Sequence, residues 1–238
     1  MLSVENLKIK LFADGADLAG MLEMNEKPYI QGLTTNPTLM RKAGVTNYKS
    51  FAIEVLNQIT KKPISFEVFS DDLEEMKSQA LEIASWGENV YVKIPITNTL
   101  GDTTAKVIQF LVGQGVKVNV TALMTLEQVK TVSAVLDPKI PSYVSVFAGR
   151  IADTGRNPEP IMKGAISTLQ NLPNTELIWA SPRELLNVFQ ADEIGCHIIT
   201  ATNDILQKLE LVGRSLEAYS LETVQMFRRD SVASQFKL

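Results

Sequence analysis

A lysine set in an apolar strand carries the most chemical consequence in this chain. Lys93 interrupts Val90-Tyr91-Val92-Lys93-Ile94-Pro95-Ile96, and lysine is almost never fully buried without a purpose. Burial disfavours an ammonium and frees a neutral amine, which can attack a ketone and form a Schiff base. The alternative is structural: a lysine snorkelling at an edge strand, or one ion-paired with Glu67. Glu67 lies between Phe66 and Val68, where partial burial is expected to raise its pKa. With Asp14 and Thr121 it forms a set able to move protons without histidine, directly or through a held water. Both readings bring Glu67 and Lys93 together and differ only in purpose.

Arg150 and Arg183 are candidate phosphate ligands, because a guanidinium offers paired donors to phosphate oxygens. Ser181-Pro182-Arg183 follows an apolar strand and is read as opening a helix, whose free N–H groups would suit an anion. The alternative is a helix N-cap by Ser181 with Arg183 exposed. Asp153 is read as the orienting partner of an arginine, and Arg156 as solvated.

Several other chemistries are excluded by composition. One cysteine, Cys196, allows neither an internal disulfide framework nor a cysteine zinc site. One histidine, His197, leaves a histidine metal centre or a serine triad nearly without means, and is read as a residue at the start of a strand. The 238 residues carry 23 Lys+Arg against 27 Asp+Glu, a net charge of −4, and the basic residues are scattered, which argues against nucleic acid. No apolar run reaches the roughly 18–20 residues of a membrane span. The N-terminus lacks the apolar stretch and cleavage site of a signal peptide, so a cytoplasmic protein is expected.

The elements that must hold these residues follow from hydrophobic periodicity. Apolar, β-branched runs occupy 8–14, 30–36, 64–70, 89–95, 116–121, 142–148, 176–181 and 195–201. Helical spacing fills 37–42, 48–60, 71–86, 103–112, 125–136, 160–172 and 182–189, with 204–211 and 216–227 forming a helical tail. Alternation of this kind implies parallel strands joined by right-handed crossovers. Eight units match a single-domain (β/α)8 TIM barrel spanning 1–238, with an additional C-terminal helical segment at 215–238. An open doubly wound sheet would advertise a glycine-rich turn, and no G-x-G-x-x-G or P-loop pattern is present.

Barrel enzymes place their chemistry at the C-terminal ends of the strands. Seven of the eight expected strands put polar residues there: Asp14; Thr34 and Asn36; Glu67; Lys93; Asn119 and Thr121; Ser145 with Arg150 beyond it; Ser181 with Arg183. The tail from 217 onward carries Tyr219, Leu221, Val224, Met226, Phe227, Val232 and Phe236, apolar surface to be covered by its own barrel or by another subunit.

On these residues the chain resembles the transaldolase family, which includes small transaldolases and fructose-6-phosphate aldolases. Gly32-Leu33-Thr34-Thr35-Asn36-Pro37-Thr38 is similar to the family's G-[VL]-T-[ST]-N-P-[ST] signature. Tyr91-Val92-Lys93-Ile94-Pro95 resembles the segment around its Schiff-base lysine. Val118-Asn119-Val120-Thr121 and Ser145-Val146-Phe147-Ala148-Gly149-Arg150-Ile151 resemble two further strands. The resemblance implies a TIM barrel that transfers a dihydroxyacetone unit from a ketose phosphate, sedoheptulose 7-phosphate or fructose 6-phosphate, to an aldose phosphate. Lys93 would be the nucleophile, Glu67 and Thr121 would hold the catalytic water, and Asp14 would handle the hydroxyl proton during cleavage. Asn36 and Ser145 would bind donor hydroxyls, Thr34 and Asn119 would line the pocket, and Arg150, Ser181 and Arg183 would hold phosphate.

The resemblance further implies sugar-phosphate substrates, no metal or organic cofactor, no membrane or nucleic-acid partner, and a homo-oligomer such as a pentamer or decamer. Aldolase members carry tyrosine and glutamine where this chain has Phe147 and Glu67, so transaldolase is favoured. The rivals are an aldolase releasing free dihydroxyacetone, a relative with an unusual acceptor, and a non-catalytic sugar-phosphate-binding barrel. Phe12-Ala13-Asp14-Gly15 and Ser181-Pro182-Arg183 depart from the family pattern and bear on acceptor specificity.

Overall fold

The computed structural model describes residues 4–235. Phe236, counted above among the apolar residues of the tail, lies outside them. Each of the eight expected apolar runs carries a strand: β1 Lys10–Asp14, β2 Ile30–Thr34, β3 Ile64–Glu67, β4 Val90–Pro95, β5 Val118–Leu123, β6 Ser142–Val146, β7 Thr175–Trp179 and β8 Ile198–Thr202. They pair in sequence order, all parallel, and β8 returns to β1 to close the barrel. The fold class is the (β/α)8 barrel expected from the alternation.

Helices α1 Leu18–Glu26, α2 Pro37–Lys42, α3 Tyr48–Gln58, α4 Leu73–Ala84, α5 Ala105–Gly113 and α6 Leu126–Ser133 surround the first five strands. They are followed by α7 Ala148–Asp153, α8 Glu159–Leu169, α9 Leu186–Glu193, α10 Asn203–Leu206 and α11 Leu216–Ser234. Among the described residues, no helix is long and apolar enough to cross a membrane.

Three expectations are corrected. The sequence reading places no helix between β1 and β2, yet α1 is there. Its pattern is weak because it buries only Met21 and Met24, and its start is set locally by the Asp17 side chain accepting from Gly20 N at 2.7 Å. The sixth strand was expected to reach residue 148, but it ends at Val146 and Ala148 already begins α7. Arg150 is therefore a helical residue. The helix after β7 was expected to begin at residue 182, but α9 starts at Leu186, so Ser181 and Arg183 lie in a turn and Ser181 caps nothing.

Strands buried on both faces divide their side chains by the two-residue period. Val92, Ile94, Val120, Val144, Leu177 and Ile199 belong to the large core under the helices. A second, small core fills the barrel itself: Phe12, Tyr143, Ile178, Ala180 and Ile198, with Tyr91 and Phe147 against it. The Tyr91 and Tyr143 rings stack at 4.0 Å, and Phe12 meets Tyr143 edge-on at 5.7 Å. Gly32 makes room for this plug, since a Cβ there would come within 2.4 Å of the Phe12 ring. Two residues further along the same strands come Asp14, Thr34, Lys93 and Ser145. Sheet geometry thus sets a polar layer directly above an aromatic floor.

His197 precedes β8, at the end of the barrel opposite this layer. Its Nδ1 accepts from Leu177 N at 3.0 Å, which assigns the remaining proton to Nε2, and burial lowers its pKa. It is a structural residue, as expected.

α11 buries none of its residues. Its Tyr219, Leu221, Val224, Met226, Phe227 and Val232 are all exposed, so among the described residues the apolar side chains of α11 are not covered by its own barrel, one of the two options above.

Candidate active site

Strand register brings Glu67, Lys93 and Asn119 side by side on β3, β4 and β5. Lys93 is only 6% exposed. Its Nζ donates to the Thr35 carbonyl oxygen at 2.8 Å and lies 3.1 Å from Glu67 Oε2. A closed barrel has no edge strand, so the snorkelling alternative is overturned. Glu67 is held in turn through its backbone, whose carbonyl accepts from the Tyr48 hydroxyl at 2.8 Å. Tyr48 is itself wedged edge-on against Phe66 and Phe69.

Asp14, at the end of β1, faces the same space. Its Oδ1 accepts from Thr34 Oγ1 at 2.8 Å, and Asn36 Nδ2 lies 3.4 Å from Oδ2. Asn36 does two jobs: its Oδ1 caps α2 by accepting from Leu39 N at 2.9 Å, and Pro37 occupies the first helical position. That cap explains the Asn-Pro pair and fixes where the amide nitrogen points. Burial pushes the Asp14 carboxyl above its ordinary value; the Lys93 charge and the Thr34 bond act the other way, and the Glu67 charge adds to the rise.

Across the barrel, Ser145 Oγ donates to Asn119 Oδ1 at 2.7 Å, and Asn119 Nδ2 donates to Ser65 Oγ at 2.9 Å. This chain orients the Asn119 amide. Thr121 Oγ1 is buried without a hydrogen-bond partner, an arrangement that calls for a water or ligand hydroxyl in a polar site. The next residue, Ala122, has φ 64° where the β5–β6 register slips. A left-handed alanine is costly, and here it turns the strand just past Thr121.

The arginines are arranged differently from expectation. Arg183 forms a two-pronged pair with Asp153, Nε to Oδ1 at 3.0 Å and Nη2 to Oδ2, the orienting role expected of Asp153. The N–H groups of Arg183 and Glu184 are not free for an anion, because Asn187 Oδ1 accepts from both at 2.8 and 3.2 Å. Arg150 is exposed, with its guanidinium 5.4 Å from the centre of the Phe147 ring. Gly149 holds α7 against the β7 turn: a Cβ there would lie 1.5 Å from the Ser181 carbonyl oxygen, and Ser181 has φ 60°. Arg150, Ser181 and Arg183 therefore share one rim of the barrel. Arg156 is exposed, and its guanidinium donates to Thr154 Oγ1 at 2.9 Å.

Sequence reasoning missed three groups in the polar layer: Ser65, the Thr35 carbonyl and Thr200. The eighth strand was credited with nothing, yet Thr200 Oγ1 lies 2.5 Å from Thr34 Oγ1. Its signal was present, a polar residue two positions after the inward-facing Ile198. Among the described residues, no cluster of three or more His, Cys, Asp or Glu could hold a metal.

A family model described as Transaldolase/Fructose-6-phosphate aldolase matches residues 11–237 of the chain. A curated protein of Thermoanaerobacter sp. (strain X514), named "Probable transaldolase", is 35% identical over 206 residues, covering 84% of this chain and 89% of that protein. One of the same name from Methanococcus maripaludis (strain C7) is 34% identical, with the same coverage. "Probable transaldolase 2" of Listeria monocytogenes is 31% identical over 84% of this chain and 88% of its own length. Among solved structures, an HpcH/Hpal aldolase/citrate lyase family protein from Burkholderia cenocepacia superposes with TM-score 0.60 at 12% identity, covering 92% of this chain and 95% of that one. A 2,3-dimethylmalate lyase gives TM-score 0.52 at 13% identity, over 95% of this chain and 85% of its own. At such identities the structural likeness is one of fold alone.

Proposed function

Because the chain belongs to the transaldolase/fructose-6-phosphate aldolase family, we propose that it is a transferase of the transaldolase type, moving a dihydroxyacetone unit from a ketose phosphate to an aldose phosphate. The observation that carries the reading is Lys93: a buried amine inside a closed barrel, 3.1 Å from a carboxylate. Lys93 Nζ adds to the donor C2 carbonyl, and loss of water gives an iminium. Asp14 takes the proton of the C4 hydroxyl as the C3–C4 bond breaks. The electron pair of that bond moves into the iminium, leaving an enamine on Lys93 and releasing an aldose phosphate. The enamine then attacks the acceptor aldehyde, Asp14 returns the proton to the new hydroxyl, and water frees the ketose.

Glu67, 3.1 Å from Lys93 Nζ, carries protons between Lys93 and a water, and the unpartnered Thr121 hydroxyl supports a held water. Asn36, Ser145, Thr34 and Asn119 take the donor hydroxyls. Arg150, Ser181 and Arg183, gathered on one rim, bind the substrate phosphate, with Arg183 leaving part of its Asp153 pairing to do so. Phe147 and Glu67 favour transfer over release of free dihydroxyacetone.

The test is borohydride reduction in the presence of fructose 6-phosphate. A stable mass increase confined to the Lys93 peptide is the expected result; a modified protein with Lys93 untouched would refute the reading. Product assays with and without an acceptor aldehyde then separate transfer from aldol cleavage.

The exposed apolar residues of α11 support a homo-oligomer, with the tail packed on a neighbouring subunit. Sedimentation of a protein truncated before Glu217 is expected to show a smaller species than the full chain. An unchanged sedimentation coefficient, corrected for the lost mass, would remove α11 from the interface.

A further inference from the structure

We propose that Asp153 sets how tightly the barrel rim holds a phosphate monoester, by competing with that phosphate for the Arg183 guanidinium. The inference rests on the function reading above, in which Arg183 binds substrate phosphate, and deepens it by naming a residue that tunes the same site.

The competition is visible in the donors of Arg183. A guanidinium has five N–H groups and accepts nothing. Asp153 takes one paired edge of the fork, Nε to Oδ1 at 3.0 Å and Nη2 to Oδ2. A phosphate also seeks a paired edge. If it takes the same edge, the Asp153 pairing is lost. If it takes the other, Asp153 stays beside it, offsetting the guanidinium charge and repelling the anion. Either way the carboxylate opposes binding. The pair is half-exposed, at 47% and 51%, so it opens at small cost; even a two-pronged pair of this kind biases an equilibrium by only about fivefold.

Asp153 is not what places Arg183. The arginine's own N–H is held by Asn187 Oδ1 at 2.8 Å. The turn that carries it is locked to α7, where Gly149 N donates to the Ala180 carbonyl at 3.3 Å and the missing Cβ of Gly149 admits the Ser181 carbonyl. Removing the carboxylate therefore frees a guanidinium on a fixed backbone. Arg150 keeps its guanidinium over the Phe147 ring, so of the two arginines of the rim the carboxylate bonds to Arg183.

Such a competitor suits the order of events in the transfer. The first aldose phosphate leaves, and the acceptor, a second phosphate, enters the same rim while three carbons stay on Lys93. A rim that held phosphate more tightly would slow that exchange.

The experiment compares acceptors for the full-length protein, with fructose 6-phosphate as donor and release of glyceraldehyde 3-phosphate as the signal. The readout is the ratio of kcat/KM for erythrose 4-phosphate to that for unphosphorylated erythrose, with the inhibition constant of inorganic phosphate beside it. In Asp153→Asn the ratio is expected to rise about fivefold, and the inhibition constant to fall by about the same factor. Asp153→Glu, which keeps the charge, is expected to stay near the wild type. Arg183→Gln is expected to lower the ratio, and in that background Asp153→Asn is expected to lose most of its effect. A merely structural role would lower activity with both acceptors alike and leave the ratio unmoved. A ratio unchanged or lowered in Asp153→Asn, raised equally in Asp153→Glu, or raised in full without Arg183 overturns the proposal. Should the asparagine protein fail to fold, Asp153→Ser serves in its place. An unmoved ratio in Arg183→Gln overturns the phosphate reading of the rim and this inference with it; a lowered ratio there with no rise in Asp153→Asn overturns this inference alone.

Discussion

Lys93→Arg is expected to fold normally and to lose transfer activity by on the order of 10⁴–10⁶-fold, the scale of removing a covalent nucleophile. Arginine is the informative replacement because it separates two roles of the lysine. A guanidinium can keep the pairing with Glu67 Oε2 and the bond to the Thr35 carbonyl, but it stays charged and forms no Schiff base. Lys93→Ala confounds the two: it removes the nucleophile and also leaves the Glu67 carboxylate buried without its partner. With side-chain exposures of 8% and 17% the pair is shielded from water, and breaking such a pair costs about 3–5 kcal/mol. The alanine protein should therefore show a lowered Tm as well as lost activity, whereas the arginine protein should show only the second. Neither should be modified by borohydride with fructose 6-phosphate. Retained transfer in Lys93→Arg would make the lysine a structural ion-pair partner and remove the covalent mechanism.

The separation of those two roles also marks how far sequence reading reaches. All eight strands were legible because a parallel strand buried on both faces must be an apolar run, and a polar residue inside one stands out against it. Lys93, Glu67 and Asn119 were found in that way, and sheet pairing then set them side by side. What the pattern could not supply was the identity of partners across the barrel. The alternation says that Lys93 points inward; it says nothing of the Thr35 carbonyl, a backbone group with no side-chain signature. Thr200 escaped because threonine is an ordinary strand residue, so it does not interrupt a run as lysine does. α1 was missed because a helix burying only Met21 and Met24 leaves little periodicity, and its start depends on a single side-chain cap. The rim that carries Arg150, Ser181 and Arg183 was read on the right turns with the wrong backbone. Gly149 pressing on the Ser181 carbonyl, a contact between segments far apart in the chain, fixes where α7 lies, and Asn187, three and four residues on, occupies the N–H groups of the turn before α9.

Asp14→Asn offers the second large effect, and its sign is opposite for rate and for stability. As the base that takes the C4 hydroxyl proton, Asp14 is expected to contribute about 10²–10⁴-fold to kcat/KM, and the asparagine protein should lose that much. Addition of Lys93 to the ketone does not need Asp14, so borohydride should trap the intact six-carbon adduct, where the wild type also yields the three-carbon one. Burial raises the Asp14 pKa in the folded protein. Activity that needs the carboxylate therefore falls away, as pH is lowered, above the usual range of about 3.9. Stability runs the other way. A carboxyl whose folded pKa is raised adds stability that is complete below its unfolded value and is lost as pH rises through the folded one. Above its folded pKa the protein thus carries a desolvated carboxylate, and there Asp14→Asn should melt at a higher temperature than wild type, with the gap closing in acid. Thermal scans from neutral to acid pH alongside the kinetics check both signs. A carboxylate serving only to hold the barrel together would give a fall in Tm with the fall in rate. A rise in one against a collapse of the other is what a buried group kept for proton transfer must show.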